Sequence, residues 1–315
     1  MTTLVTGANG FVGSALCARL RRDGLSTRGA VRSLNSKPDV AEIVANGSLS
    51  SDTDWMEALS KVEQVVHLAA RVHVMNDKSS DPLAEFRRVN VEGTANLARQ
   101  AAAAGVRRFV FLSSIKVNGE FTEQGQPFTA DDVPAPEDSY GFSKHEAEQL
   151  LRLIASETGM EVVIIRSPLV YGPGVKANFE SMMRWLVRGV PLPLAAMTEN
   201  RRSLVALDNL VDLIVICLNH AAAGNRTFLV SDGEDLSTAD LLNRMGAALG
   251  HPARLFSIPP ALLKLGATVL HKPGLYQRLG GSLQLDITKT RQILGWIPPL
   301  SVSEGLRRTA EALRT

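Results

Sequence analysis

The segment Gly7-Ala8-Asn9-Gly10-Phe11-Val12-Gly13 constrains the fold of this chain more than any other. It follows a short β-rich run, Thr3 to Thr6, and passes directly into a helical pattern that begins near Phe11. Three glycines at this spacing allow a tight strand-to-helix turn and a close approach of backbone to a ligand. The first amides of the helix and its positive dipole end favour a pyrophosphate there. The spacing is GxxGxxG rather than GxGxxG, and glycines at such a turn can also serve packing alone. Opening a β-α-β unit, the turn is read as phosphate-binding, with Gly7, Asn9, Gly10, Phe11, Val12 and Gly13 as cofactor contacts.

Further β-rich runs, Ser26 to Val31, Gln64 to Leu68, Arg108 to Leu112 and Glu161 to Ile165, alternate with helical patterns at about Asn90 to Ala104 and Ser139 to Thr158. Such alternation specifies parallel strands joined by crossover helices. The expected class is α/β: a Rossmann-type doubly wound parallel sheet with a smaller C-terminal substrate-binding lobe. After Pro168 the texture changes, with Gly172-Pro173-Gly174, Pro191-Leu192-Pro193 and Pro259-Pro260 separating shorter elements. Residues 1–170 are expected to bind the dinucleotide and 171–315 mainly the substrate. Within the second part, about 204–232 is expected to return to the main sheet, with Thr227 to Val230 as a strand.

A chain of 315 residues, 45% apolar and 21% charged, is long enough for a large core. With 34 Lys plus Arg against 32 Asp plus Glu, no global field points to nucleic acid or a membrane surface. Cys17 and Cys217 read as small buried hydrophobes, since two cysteines make neither a disulfide framework nor a zinc spacing. His67 reads as structural. His73, His145, His220, His251 and His271 show no ligand spacing, so no metal is expected. Without a basic leader or about 18 uninterrupted apolar residues, a cytoplasmic protein is expected.

Tyr140-Gly141-Phe142-Ser143-Lys144 opens a helix, and residues four apart share a face, so a phenol and an ammonium point into one cleft. A nearby cation favours phenolate, and Tyr140 then exchanges a proton with a hydroxyl or a ketone. Ser113-Ser114 ends a strand on the edge of the sheet where open α/β folds collect ligands. At the end of the second strand an acid commonly holds a ribose 2′-OH. Here Val31-Arg32-Ser33 offers none, and Arg32 is either a receptor for a 2′-phosphate or a solvated surface residue. NADP(H) is therefore expected in preference to NAD(H).

Taken together, these motifs resemble the extended short-chain dehydrogenase/reductases, in particular the nucleotide-sugar epimerase/dehydratase family. The resemblance also runs through His67-Leu68-Ala69-Ala70, Asn90-Val91-Glu92-Gly93-Thr94 and Tyr171-Gly172-Pro173-Gly174. It implies Ser114, Tyr140 and Lys144 as the catalytic residues, Lys144 also binding the nicotinamide ribose. It places Leu49, Leu68, Ala69, Ala70, Asn90 and Ser167 beside the cofactor, and Asn178, Arg202 and Arg278 on the diphosphate of a UDP-sugar. A homodimer through the two long helices is implied as well.

Departures from the family narrow the reaction. Dehydratases carry an Asp-Glu pair after the catalytic Ser/Thr, where this chain has Ile115-Lys116, so dehydration is not expected. Lys116 is left to a carbonyl, a phosphate or solvent. Against the pattern of the 4-epimerases, Val31-Arg32 replaces an acid, Ser48-Leu49 an Asp-hydrophobic pair and Leu169 an Asn. On that ground the expected reaction is reduction of a UDP-4-keto-6-deoxy-hexosamine at C4. A UDP-hexose 4-epimerase using the same site is the alternative, and a non-catalytic cofactor sensor a minor one.

Overall fold

The apolar runs at Phe109-Val110-Phe111 and Val162 to Ile165 are buried throughout, as strands covered by helices on both faces must be. A computed structural model describes residues 1–34, 40–72, 81–269 and 273–314. The main sheet contains β1 (Thr2–Thr6), β2 (Ser26–Val31), β3 (Glu42–Ala45), β4 (Gln64–His67), β5 (Arg108–Ser114) and β6 (Glu161–Ser167). A small sheet holds β7 (Leu169–Tyr171), β8 (Arg202–Ala206) and β10 (Asp235–Leu236), while β9 (Arg226–Leu229) joins the main one. The main order is β3-β2-β1-β4-β5-β6-β9, all parallel. The chain reverses its direction of travel across the sheet between β1 and β4, and the crevice at that switch point is where such sheets bind ligands.

Helices α1 (Phe11–Arg22), α2 (Met56–Leu59), α3 (Pro82–Phe86), α4 (Gly93–Ala103), α5 (Ser139–Thr158), α6 (Ala177–Val187), α7 (Leu207–Asn219) and α8 (Thr238–Leu249) follow in chain order. The last four are α9 (Pro260–Val269), α10 (Pro273–Gly280), α11 (Thr288–Leu294) and α12 (Val302–Arg314). One face of the main sheet packs on α1 and α7 through Leu16, Cys17, Leu20, Leu213, Ile214 and Cys217. The other packs on α4 and α5 through Leu97, Ala98, Ala101, Ala147, Leu151 and Ile154. A third cluster, with Tyr171, Phe179, Met183, Leu242 and Leu306, joins the small sheet to α6, α8 and α12. Within 204–232, β8 stays in the small sheet, whereas α7 and β9 lie against the main one.

Two local features differ from expectation. β3 is a four-residue edge strand too short to show alternation. The helix expected from Asn90 is the end of a longer helical stretch: α3 leads into a π-helical segment, Arg87–Glu92, which leads into α4. The wide turn carries Asn90 inward, where its Oδ1 accepts from Arg71 N–H at 2.7 Å and its Nδ2 donates to Arg71 O and Ser143 Oγ, both at 3.0 Å. Such insertions recur where a side chain must be aimed rather than merely packed.

Buried charge pins the inner strands β5 and β6 at both of their ends. Arg108 donates to the carbonyls of Cys217, Leu218 and His220 at the C-terminal end of α7, where a cation complements the dipole. At the opposite ends of these strands Glu148, fully buried on α5, accepts from Arg166 Nε at 2.9 Å and Nη2 at 2.7 Å, and from Ser113 Oγ at 2.6 Å. Burial alone opposes ionisation of Glu148, but the bonds from Arg166 hold its carboxyl below the usual range. Glu148→Ala strands Arg166 in the core, so chemical denaturation is expected to register a loss of about 3–5 kcal/mol. Wild-type stability in that variant would mean the pair is replaced by solvent.

Candidate active site

A cavity of about 1120 Å³ opens along the C-terminal ends of the main strands. Its first wall is the glycine turn. Gly7 has φ +66°, and a Cβ there would lie 3.0 Å from Ala69 N; one at Gly13 would lie 2.0 Å from Gly7 O. The turn is thus drawn tight against β4's end while Gly10 caps α1 without a side chain. The first amides of a helix have no partner within it, so those of α1 face the cavity at Phe11, Val12 and Gly13.

The floor depends on His67. Thr6 Oγ1 accepts from the N–H groups of Leu68 and Ala69 at 3.1 Å and lies 2.7 Å from His67 Nδ1. With both lone pairs of Thr6 used, its hydroxyl proton goes to Nδ1, and His67 is the tautomer that donates from Nε2 to Thr94 Oγ1 at 2.9 Å. Full burial, reinforced by the charge of Lys144, lowers its pKa to about 3. His67 holds the loop Leu68 to Ala70 and has no chemistry of its own.

The Asn90 to Thr94 motif anchors three parts of this wall. Asn90 holds Arg71, Thr94 holds His67, and Gly93 lets α4 approach Leu49, where a Cβ would lie 2.6 Å from Leu49 Cγ. Asn90 was expected beside the cofactor; it is instead one layer back, absent from the cavity lining and spent on Arg71 and Ser143. Leu49, Leu68, Ala69, Ala70, Arg32 and Ser167 do line the cavity. So do Asn46, Trp55, Arg71 and Arg88, which sequence reasoning missed because no local pattern marks them. Among the described lining residues four are cationic, Arg32, Arg71, Arg88 and Lys144, and none is an acid.

At the far end Ser114, Tyr140 and Lys144 meet. Ser114 ends β5, and its Oγ accepts from Lys116 N–H at 3.2 Å. Tyr140 and Lys144 lie one turn apart on α5, whose N-cap Asp138 accepts from Gly141 N–H at 2.7 Å. Lys144 Nζ donates to Leu112 O at 2.8 Å, sits 4.3 Å above the Phe111 ring and lies 5.9 Å from the Tyr140 ring centroid. Burial lowers Lys144 to about 7, with Glu148 opposing. Burial, and then the charge of Asp138, drives Tyr140 upwards. Such a trio suits proton exchange with an oxygen held by the serine.

Lys116 and the residues expected on the substrate diphosphate do not line this cavity among the described side chains. Lys116 is outside the cavity lining because its ammonium is taken by Asp138 and Glu120. Arg202 starts β8 and donates to Gly281 O at 3.0 Å; burial lowers its pKa, with Glu120 opposing. Asn178 is exposed in the first turn of α6. The side chain of Arg278 lies outside the described residues. Among the described residues no cluster of His, Cys, Asp or Glu could hold a metal ion, and no helix is long and apolar enough to cross a membrane.

The family model described as NAD dependent epimerase/dehydratase family matches residues 3–231. A UDP-glucose 4-epimerase of Vibrio cholerae is 48% identical over 98% of this chain and 94% of its own. A UDP-glucose 4-epimerase of Mycolicibacterium smegmatis is 32% identical over 100% and 99%. A short-chain dehydrogenase/reductase superfamily protein from Agrobacterium tumefaciens, solved with bound NAD, superposes with a TM-score of 0.78 at 26% identity, covering 100% of this chain and 97% of its own. The similarity to the Vibrio enzyme overturns the expectation of ketone reduction. That expectation rested chiefly on Arg32, and a cation at the end of β2 bears on a 2′-phosphate, not on whether a cofactor leaves after each turnover.

His67 gives the site a pH signature. Its pKa is about 3 when folded against an ordinary 6.5, so the unfolded chain binds the extra proton and stability falls as pH drops from 6.5 towards 3. Between pH 6.5 and 4.5 His67 is expected to contribute about 2–3 kcal/mol of this loss. Denaturation of wild type and His67→Gln at both pH values checks it; equal pH dependence in the two proteins would remove the assignment.

Proposed function

We propose that this chain, which belongs to the NAD dependent epimerase/dehydratase family and is an enzyme of the extended short-chain dehydrogenase/reductase type, is a UDP-hexose 4-epimerase interconverting UDP-glucose and UDP-galactose. The observation that carries this reading is the meeting of Ser114, Tyr140 and Lys144 at one end of a glycine-turn cavity, in a chain 48% identical to a UDP-glucose 4-epimerase. Residues 1–170 are assigned to the dinucleotide and 171–315 to the nucleotide sugar. Asn178, Arg202 and Arg278 are assigned to its diphosphate.

The fit to a dinucleotide rests on the tight glycine turn, the open amides of α1 and a lining that carries cations without acids. A nicotinamide held along this cavity would supply a hydride acceptor, and then a hydride donor, for C4 of the sugar. Tyr140, as phenolate, removes the proton of the C4 hydroxyl. Ser114 donates a hydrogen bond to the same oxygen, and Lys144 stabilises the phenolate. For return to a hydroxyl, Tyr140 gives the same proton back to the oxygen at C4 while Ser114 keeps its hydrogen bond to it. Tyr140→Phe removes the proton carrier but not the ring, so interconversion is expected to fall by about 10²–10⁴-fold. Undiminished interconversion in that variant would discard the mechanism.

For the dinucleotide we favour NADP(H) over NAD(H), on Arg32. It is exposed at the end of β2, on the cavity, and makes no ion pair among the described residues. Nucleotide released from the denatured protein is expected to be mainly the 2′-phosphorylated form, and Arg32→Ala to shift occupancy towards NAD by about tenfold or more. Release of NAD alone would remove this preference. A cytoplasmic homodimer completes the proposal. Its contact is assigned to α4 and α5, the latter exposing Phe142 and Leu153.

A further inference from the structure

Lys116 was expected at the substrate and lies instead between the two halves of the acid–base site. It occupies the 3-10 turn Ile115–Val117 that follows β5, and its backbone N–H donates to Ser114 Oγ. Its Nζ lies 2.5 Å from Asp138 Oδ2 and 2.6 Å from Glu120 Oε1. Asp138 is at the same time the N-cap of α5, using Oδ1 for Gly141 N–H. The backbone makes a second contact: a Cβ at Gly141 would lie 2.8 Å from Lys116 O, so only glycine lets the first turn of α5 sit against this strand end. Side chain and main chain of Lys116 thus hold the segment that carries Tyr140 against the one that carries Ser114.

We propose that Lys116 is a positioning residue for the reaction: through Asp138 it locks the first turn of α5 onto the end of β5, and it offsets the carboxylate charge that otherwise opposes ionisation of the Tyr140 phenol. The proposal rests on the reading of Tyr140 as the acid–base group. The charged groups beside the phenol are Lys144 on its own helix and Asp138 at the cap; Asp138 is in turn paired with Lys116 from the 3-10 turn, which also holds Glu120. From α3, Phe86 meets the ring edge-on at 6.0 Å, with Arg71 stacked over Phe86. Asp138 is the group here whose charge disfavours phenolate. Lys116 and Asp138 are each about 30% exposed, so solvent screens their pairing only in part. Removing the ammonium leaves Asp138 with its cap bond but without its counter-charge.

The test follows the pH dependence of interconversion together with near-ultraviolet titration of the tyrosinate, with Tyr140→Phe as the blank. The chain has three tyrosines, and Tyr171 is held neutral as a buried donor to Asp232. Lys116→Met is expected to move both the rising limb of activity and the Tyr140 titration to higher pH by about one unit. Asp138→Asn keeps a side chain able to cap the helix and is expected to move both to lower pH. The double variant is expected to return close to wild type although the ion pair is gone, which loss of a purely structural contact would not produce. Unmoved profiles in Lys116→Met, or a double variant that stays with Lys116→Met, would overturn the proposal. If Lys116→Met does not fold, Asp138→Asn decides alone, and no downward shift overturns it. Full activity in Tyr140→Phe would defeat the acid–base reading, while the tyrosinate titration would still report whether Lys116 governs the phenol.

Discussion

The buried pair between Glu148 and Arg166 is the contact on which the active end of this molecule depends. It ties α5 to β6 through the carboxylate and to β5 through Ser113, and Arg166 Nη1 extends the tie to Asn118 beyond the 3-10 turn. Glu148 is one helical turn past Lys144, which is one turn past Tyr140, so fixing Glu148 fixes the azimuth of both. The ends of β5 and β6 carry Ser114 and Ser167. A pair of full charges in the core is costly unless every lone pair is used, and here Ser113 and Arg152 take what Arg166 leaves.

Much of this was legible in the sequence because it is local. The glycine turn, the strand ends and the Tyr140/Lys144 spacing each depend on a few adjacent residues, and the long helix Ser139–Thr158 is marked by its buried stripe at Gly141, Lys144, Ala147, Leu151 and Ile154. What was not legible is what depends on distant partners. Asn90 looked like a ligand contact, but its amide meets Arg71 and Ser143, residues 19 and 53 positions away. Lys116 looked like a free cation because nothing nearby in sequence announces that Asp138 will return to it. Trp55, Asn46 and Arg88 reach the cavity from segments with no turn or phosphate signature.

The error about the reaction has a different origin. Reduction and epimerisation use the same proton carrier, the same serine and the same hydride path, so no residue of the trio separates them. Arg32 lines the cavity at the end of β2, a position that bears on a 2′-phosphate and not on the choice between the two reactions. Overall similarity to a 4-epimerase along nearly the whole chain weighs more than one exchanged residue. In the second lobe Asn178 is exposed at the start of α6 and Arg202 is turned to Gly281 O.

The central claim is that hydride leaves C4 and returns to the same carbon within one binding event. UDP-glucose deuterated at C4 tests it most directly. The account predicts UDP-galactose that keeps the deuterium at C4, with no net oxidation or reduction of dinucleotide. Deuterium recovered in released dinucleotide, or dinucleotide consumed in proportion to product, would contradict it.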